Sequence, residues 1–168
     1  VVAWLTGGWY RPGQALAMRA YAEAFARRGY VSVTMGYRAR PGLVCCPTDD
    51  IEGVTTAVAD ATDEAAAGVR WLRDHADEYG IDPDAIAVGG AQGGAAAAFG
   101  LAHVVRAPIA AALPIDGVGF GRPDAGEPPF LAFHETRSTV APAHLSEWAC
   151  TRARSKGTPC ATTVLQTS

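Results

Sequence analysis

The run Gly89-Gly90-Ala91-Gln92-Gly93-Gly94 joins a short apolar stretch, residues 85–89, to a helix-forming stretch of small residues, 95–103. A strand that reverses this sharply into a helix crowds its neighbours, so residues without side chains are needed around the bend. The residue at the centre of such a bend stands out at the strand tip on strained backbone. In the frame Gly89-Gly90-Ala91-Gln92-Gly93 that residue is Ala91, which carries no nucleophilic atom. The N–H of Gln92 then opens a helix, where unsatisfied donors and the helix dipole favour negative charge. A second glycine turn, Thr6-Gly7-Gly8-Trp9, follows the apolar run 1–5. Gly8 and Trp9 amides converging with that of Gln92 would hold an oxygen that carries partial negative charge. Gly7, Tyr10, Phe120 and His134 are the neighbouring candidates for contact with a bound molecule, and Trp148 is a further apolar wall. Each aromatic has a plainer role as core or rim packing. Asp116 and Glu135 are carboxylates on nearby loops, with solvated loop acids as the plainer account. His75 is expected to be solvated late on a helix, His103 to serve structure at a helix end, and His144 to ride on the following helix.

These residues need a scaffold that alternates strands and helices. The runs 1–5, 30–37, 85–89, 108–115, 130–134 and 160–166 are apolar or β-branched and read as strands. Between them, 14–28 forms a helix closed by Arg27-Arg28-Gly29. A long helix, capped by Thr48 or Asp49, places Val54, Val58, Ala61, Ala65, Val69 and Leu72 on one face and ends at Tyr79-Gly80. Residues 142–156 form the last helix, with Pro142 at its start and Gly157 past its end. Six strands with helical crossovers predict an α/β fold: a parallel sheet with helices on both faces, in three αβα layers. Ligands in such sheets sit at the carboxyl ends of the strands, which selects the loops after Leu5, Gly89, Ile115 and His134.

With its strand before and helix after, the glycine elbow resembles the G-x-S-x-G turn of the α/β-hydrolase superfamily, in its carboxylesterase and lipase branch. Trp4-Leu5-Thr6-Gly7-Gly8-Trp9 resembles the family's His-Gly-Gly-Gly-Trp oxyanion loop. Residues 130–142 resemble its strand-seven segment, where Phe-His-Gly precedes an Asp and Val-Pro, and Asp82-Pro83-Asp84-Ala85-Ile86-Ala87-Val88-Gly89 resembles the run before its elbow. The resemblance spans nearly the whole chain. It implies a single hydrolase domain, 1–168, acting on carboxylic esters through an acyl-enzyme. It also implies that the leading hairpin and the final helix lie outside residues 1–168, with the catalytic His expected beyond Ser168.

The departures are specific. Ala91 replaces the nucleophile, Thr6 stands where the oxyanion loop usually has His, and the family acid falls near Ser138, leaving Glu135 and Asp116 as substitutes. His134 takes the Phe-His-Gly position, which normally positions its loop. Two explanations follow: a Ser-to-Ala change made to trap a substrate, or natural divergence that kept the scaffold and lost hydrolysis. The altered acid and oxyanion loop favour divergence. Hydrolysis is therefore not expected of this chain. The alternative function is a non-hydrolytic protein that uses the retained oxyanion hole to bind or cyclise a carbonyl-containing small molecule. A nucleotide-binding Rossmann role is weaker, because no G-x-G-x-x-G or Walker lysine follows a strand.

Composition bounds the rest. The 168 residues are 49% hydrophobic and 18% charged, with net charge −3, enough apolar content for one core and too little basic charge for a nucleic-acid surface. No apolar run is long enough to span a membrane, and no charged n-region with an apolar h-region opens the chain. No Cys/His spacing predicts a metal site, and no cofactor is expected. A Cys150–Cys160 bridge across a helix end and strand start would suit a secreted chain. Cys45-Cys46 carries no such pattern.

Overall fold

The computed structural model describes residues 1–7, 16–40, 42–43, 50–136, 138 and 141–166. The expectations for Gly8, Trp9, Tyr10, Cys45, Cys46, Thr48 and Asp49 lie outside them. Among the described residues, six strands form one parallel sheet: β1 (Val2–Leu5), β2 (Ser32–Met35), β3 (Ala87–Ala91), β4 (Ala111–Ile115), β5 (Phe130–Glu135) and β6 (Cys160–Leu165), in the order β2-β1-β3-β4-β5-β6. The helices among the described residues are α1 (Arg19–Ala26), α2 (Ile51–Asp74), α3 (Ala76–Tyr79), α4 (Gly93–His103) and α5 (Ala143–Ser155).

All four residues of β1 are buried, the continuous apolar pattern of a strand covered on both faces. α2 turns Val54, Ala57, Val58, Ala61, Ala65, Val69 and Leu72 inward at three- and four-residue steps. Its cap is Asp50, whose carboxylate accepts from the Gly53 N–H at 2.8 Å. α4 is buried all round. Its small side chains let it sit close between α2 and the sheet: a Cβ on Gly100 would stand 2.6 Å from Thr62 Oγ1. Gly80, at φ 62°, ends α3 in the left-handed region.

Two boundaries differ from expectation in ways that matter. The helix expected over 14–28 is described from Arg19 onward, after a turn at residues 16–18. The third strand runs Ala87–Ala91 rather than 85–89. Parallel pairing of Val2 with Ala87 and of Ala87 with Ala111 starts it two residues later, while Ala85 N–H is held in the preceding turn by the Asp82 carbonyl.

The predicted disulfide is present between Cys150 and Cys160, tying the second turn of α5 to the first residue of β6. No described helix is long and apolar enough to cross a membrane.

Candidate active site

The strand order reverses at β1. The chain moves from β1 to β2 on one side, then returns to place β3 on the other. The crevice at the carboxyl ends of β1 and β3 is thus the topological switch point, where open α/β sheets bind ligands. Leu5-Thr6-Gly7 forms one lip and Ala91-Gln92-Gly93 the other. The two lips are in close contact: a Cβ on Gly7 would lie 3.3 Å from the Ala91 carbonyl oxygen.

The strained residue of the elbow is Gln92, at φ 52° and ψ −112°. Ala91 is the last residue of β3. The expected frame therefore moves by one position, and the sterics agree. A Cβ on Gly90 would stand 2.5 Å from Gly94 backbone, and one on Gly94 would stand 2.5 Å from the Thr6 carbonyl oxygen and 2.6 Å from that of Leu5. The two glycines that admit no side chain flank Gln92 symmetrically, as Gly90-Ala91-Gln92-Gly93-Gly94. Gly89 serves a different purpose: the Trp4 ring covers it, with Cζ3 only 2.5 Å from where a Cβ would be.

The shift changes which amides are free. Gln92 N–H donates to the Ile115 carbonyl of β4 at 2.9 Å, so it is not the oxyanion donor expected of it. The first α4 amides after it, beginning with Gly93, are the ones the helix leaves without an internal acceptor. The Gln92 carbonyl accepts from Ala96 N–H at 3.0 Å and starts the helix. Gly117 packs against that carbonyl, where a Cβ would approach to 2.8 Å. Gly119 and Gly121 continue the same stripe along α4, against the Ala96 carbonyl and against Phe99 and His103.

Polar residues follow in a row across the strand ends. Asp116, at φ 53°, follows β4, whose last residue Ile115 pairs with Ala91. It is no solvated loop acid. Its Oδ1 is buried and faces His134 Nδ1 at 3.8 Å. His134 lies in β5, 2% exposed, and its Nε2 is hydrogen-bonded to Ser146 Oγ on α5. Burial holds the His134 imidazole below its usual range, against the opposing pulls of the Asp116 charge, the Ala141 backbone and the Glu147 charge. This histidine does not line the crevice as expected, because the β5–α5 packing encloses it.

The other candidates disperse. Glu135 is exposed. Ser138 lies in the turn after β5, its N–H donating to the Glu135 carbonyl at 3.2 Å. Phe120 is 57% exposed and lines a groove with Val58, Thr62 and Val104 between α2 and α4, away from the elbow. Trp148 and His144 are exposed on α5. His75 closes α2, with Nδ1 against the Trp71 carbonyl at 2.8 Å and its ring stacked on Trp71. His103 is buried at the far end of α4. Its Nδ1 meets Glu127 Oε2 at 2.9 Å, and Glu127 also takes Arg106 Nε at 2.9 Å and Asp124 N–H at 2.8 Å. That cluster clamps the segment before β5 onto α4. Among the described residues, no three His, Cys, Asp or Glu side chains are grouped to hold a metal.

A parallel sheet in this order, a positive-φ residue between two sterically required glycines, and a helix opening from it define an α/β-hydrolase fold. The comparisons with known proteins agree. The BD-FAE family model matches residues 1–107, and the chain belongs to this family, an esterase family of the α/β-hydrolase type. In structure it is similar to esterase 2 of Thermogutta terrifontis. With the form phosphonylated by sarin the TM-score is 0.77 at 21% identity, covering 99% of this chain and 72% of that one. With the apo form the values are 0.74, 23%, 99% and 71%, and with the butyrate-bound form 0.73, 21%, 99% and 72%. No curated protein matches the sequence.

Proposed function

We propose that this chain is a non-hydrolytic member of its esterase family, which binds a small carbonyl- or carboxylate-bearing molecule at the elbow without attacking it. The observation that carries this is the backbone of Gln92. It holds the strained strand-tip position from which hydrolases of this fold present a serine hydroxyl, and a carboxamide is not an acyl acceptor. The group that remains useful is the α4 N-terminus, with Gly93 N–H as the first amide beyond the elbow residue, the place where an oxyanion donor sits in this fold. Short acyl groups suit it: the structurally similar Thermogutta enzyme is described in butyrate-bound and propionate-bound forms. The Cys150–Cys160 bridge supports an oxidising, secreted setting.

The test has two arms. Incubated with p-nitrophenyl butyrate and with a fluorophosphonate, the wild-type chain is expected to show turnover at the buffer rate and no mass increment. Titrated with butyrate, it is expected to shift the Gly93 amide resonance saturably. A covalent adduct on any residue overturns the absence of attack, and an unmoved Gly93 resonance overturns the binding site.

Family membership over residues 1–107 favours a second reading, an ester-hydrolysing scaffold whose elbow carries no serine. Gln92→Ser separates the two. Under the second reading it raises ester turnover by orders of magnitude, while Ala91→Ser, one residue before the tip, does not.

A further inference from the structure

His134 and Asp116 bring two buried polar atoms face to face without joining them. Nδ1 and Oδ1 are 3.8 Å apart, and among the described residues neither of these buried atoms has a partner at hydrogen-bond distance. The ring is anchored on its other side by Ser146, which is 0% exposed. Asp116 is fixed along its backbone, its N–H donating to the Phe133 carbonyl at 2.7 Å. The Asp116 side chain and the turn that follows it are what can close the gap. With the proton on Nε2 donated to Ser146 Oγ, a bare Nδ1 lone pair faces a carboxylate. When a solvent proton adds at Nδ1, both ring nitrogens become donors, and the imidazolium faces its counter-charge in a low-dielectric setting.

We propose that Asp116 and His134 form a proton-operated latch across the tips of β4 and β5, which on acidification draws the Asp116-Gly117 turn toward β5 and so moves the Gln92 carbonyl packed on Gly117. The connection is direct. Gly117 follows Asp116 and would clash with the Gln92 carbonyl if it carried a Cβ, and Gln92 N–H is bonded to Ile115, the residue before Asp116. Among the described residues, the groups acting on His134 are Asp116 from the loop after β4, the Ala141 backbone, and Glu147 from α5. On β6 its register partner is Val164, which does not titrate. On its own strand, Glu135 is exposed. Because burial outweighs the attraction of these acids, the latch works below the ordinary imidazole value of 6.5, in mildly acidic solution. The latch does not rest on the proposed function and holds whether or not the elbow binds a carbonyl ligand.

The experiment is a pH titration of the full chain by NMR, following the His134 ring and the backbone amides of Gln92 and Gly117. The expected result is one midpoint, below 6.5, shared by all three. In Asp116→Asn the His134 midpoint is expected to fall by about one unit or more, since an opposite charge at this range shifts a pKa by roughly 1–3 units. The inflection at Gln92 should vanish there while the ring still titrates. In His134→Gln, which keeps a polar side chain but does not titrate, the inflection at both amides should vanish. Gln92 and Gly117 amides that pass through the His134 midpoint without inflection overturn the proposal, as does an unchanged His134 midpoint in Asp116→Asn. The wild-type titration decides on its own if either variant fails to fold.

Discussion

Gln92 supplies the sharpest test of where the elbow turns. At φ 52° and ψ −112° its Cβ is held against its own backbone, a strain of about 1–3 kcal/mol for a non-glycine residue in a sparsely populated region. Glycine removes that strain but adds about 0.5–1 kcal/mol of unfolded-state entropy. The wild-type carboxamide makes contacts of its own, so the clean comparison is between two truncations. Gln92→Gly and Gln92→Ala lose the same carboxamide and differ only by the Cβ. Gln92→Gly is therefore expected to be the more stable by about 0.5–2 kcal/mol, a difference of roughly 1–8 °C in midpoint for a domain of this size. At Ala91, in the strand proper, the order reverses: Ala91→Gly should lose about 0.5–1 kcal/mol relative to wild type. Urea unfolding followed by tryptophan fluorescence, with thermal melts alongside, measures all four proteins. If Gln92→Ala equals or exceeds Gln92→Gly in stability, or if Ala91→Gly stabilises, the strained tip is not at Gln92 and the proposed function loses its footing.

Four further outcomes follow from the same structure. Gly94→Ala places a Cβ 2.5 Å and 2.6 Å from two carbonyl oxygens of backbone that cannot swing aside, and should cost about 1–3 kcal/mol or more. Gly36→Ala, with no atom within 4 Å and no positive φ, should be neutral or gain up to about 1 kcal/mol; matched urea curves compare the two. His103 is held below its usual range by burial, against the pull of Glu127. Its stabilising contribution is present above the unfolded value near 6.5 and is lost as pH falls through the lower folded value, so a urea midpoint measured from pH 7.5 to 5 should fall, and fall less steeply in His103→Gln. Reduction of Cys150–Cys160, which closes a ten-residue separation, should cost about 2–3 kcal/mol, read as the difference in unfolding free energy with and without dithiothreitol.

The layers of the fold were legible because each element carries one clear pattern. The period of α2 and the apolar runs of β1, β4 and β5 leave little choice of structure. The frame of the elbow was not legible, for a definite reason. Residues 85–91 are small and mostly apolar with no polar punctuation, so nothing in the string says where the strand ends. Gly89, Gly90, Gly93 and Gly94 then accommodate two frames equally well. The tie is broken by contacts from outside the segment: Trp4 over Gly89, and the Leu5 and Thr6 carbonyls against Gly94. The Asp116–His134 pair was hidden in the same way. Eighteen positions separate the two residues, and only the parallel pairing of Ile115 with Phe133 makes them neighbours. Seen alone, Asp116 is an ordinary loop acid.

The elbow's shape does not depend on a hydroxyl. Gly90 and Gly94 let α4 start directly under β1, Gly117 and Gly119 let the loop after β4 lie flat on that start, and the Gln92 N–H bonds across to Ile115. Each contact is made by backbone, and each demands that the chain turn at Gln92 whatever its side chain. The strain at φ 52° is thus held in place by the burial of α4, whose residues are all enclosed. A serine hydrolase would use that strain to hold a nucleophile at the strand tip. Here the same strained position, at the mouth of the switch-point crevice, is held by glutamine, and α4 opens directly after it. Under the proposed function the elbow binds a carbonyl without attacking it, so ligand binding and covalent labelling are the measurements that divide the two readings.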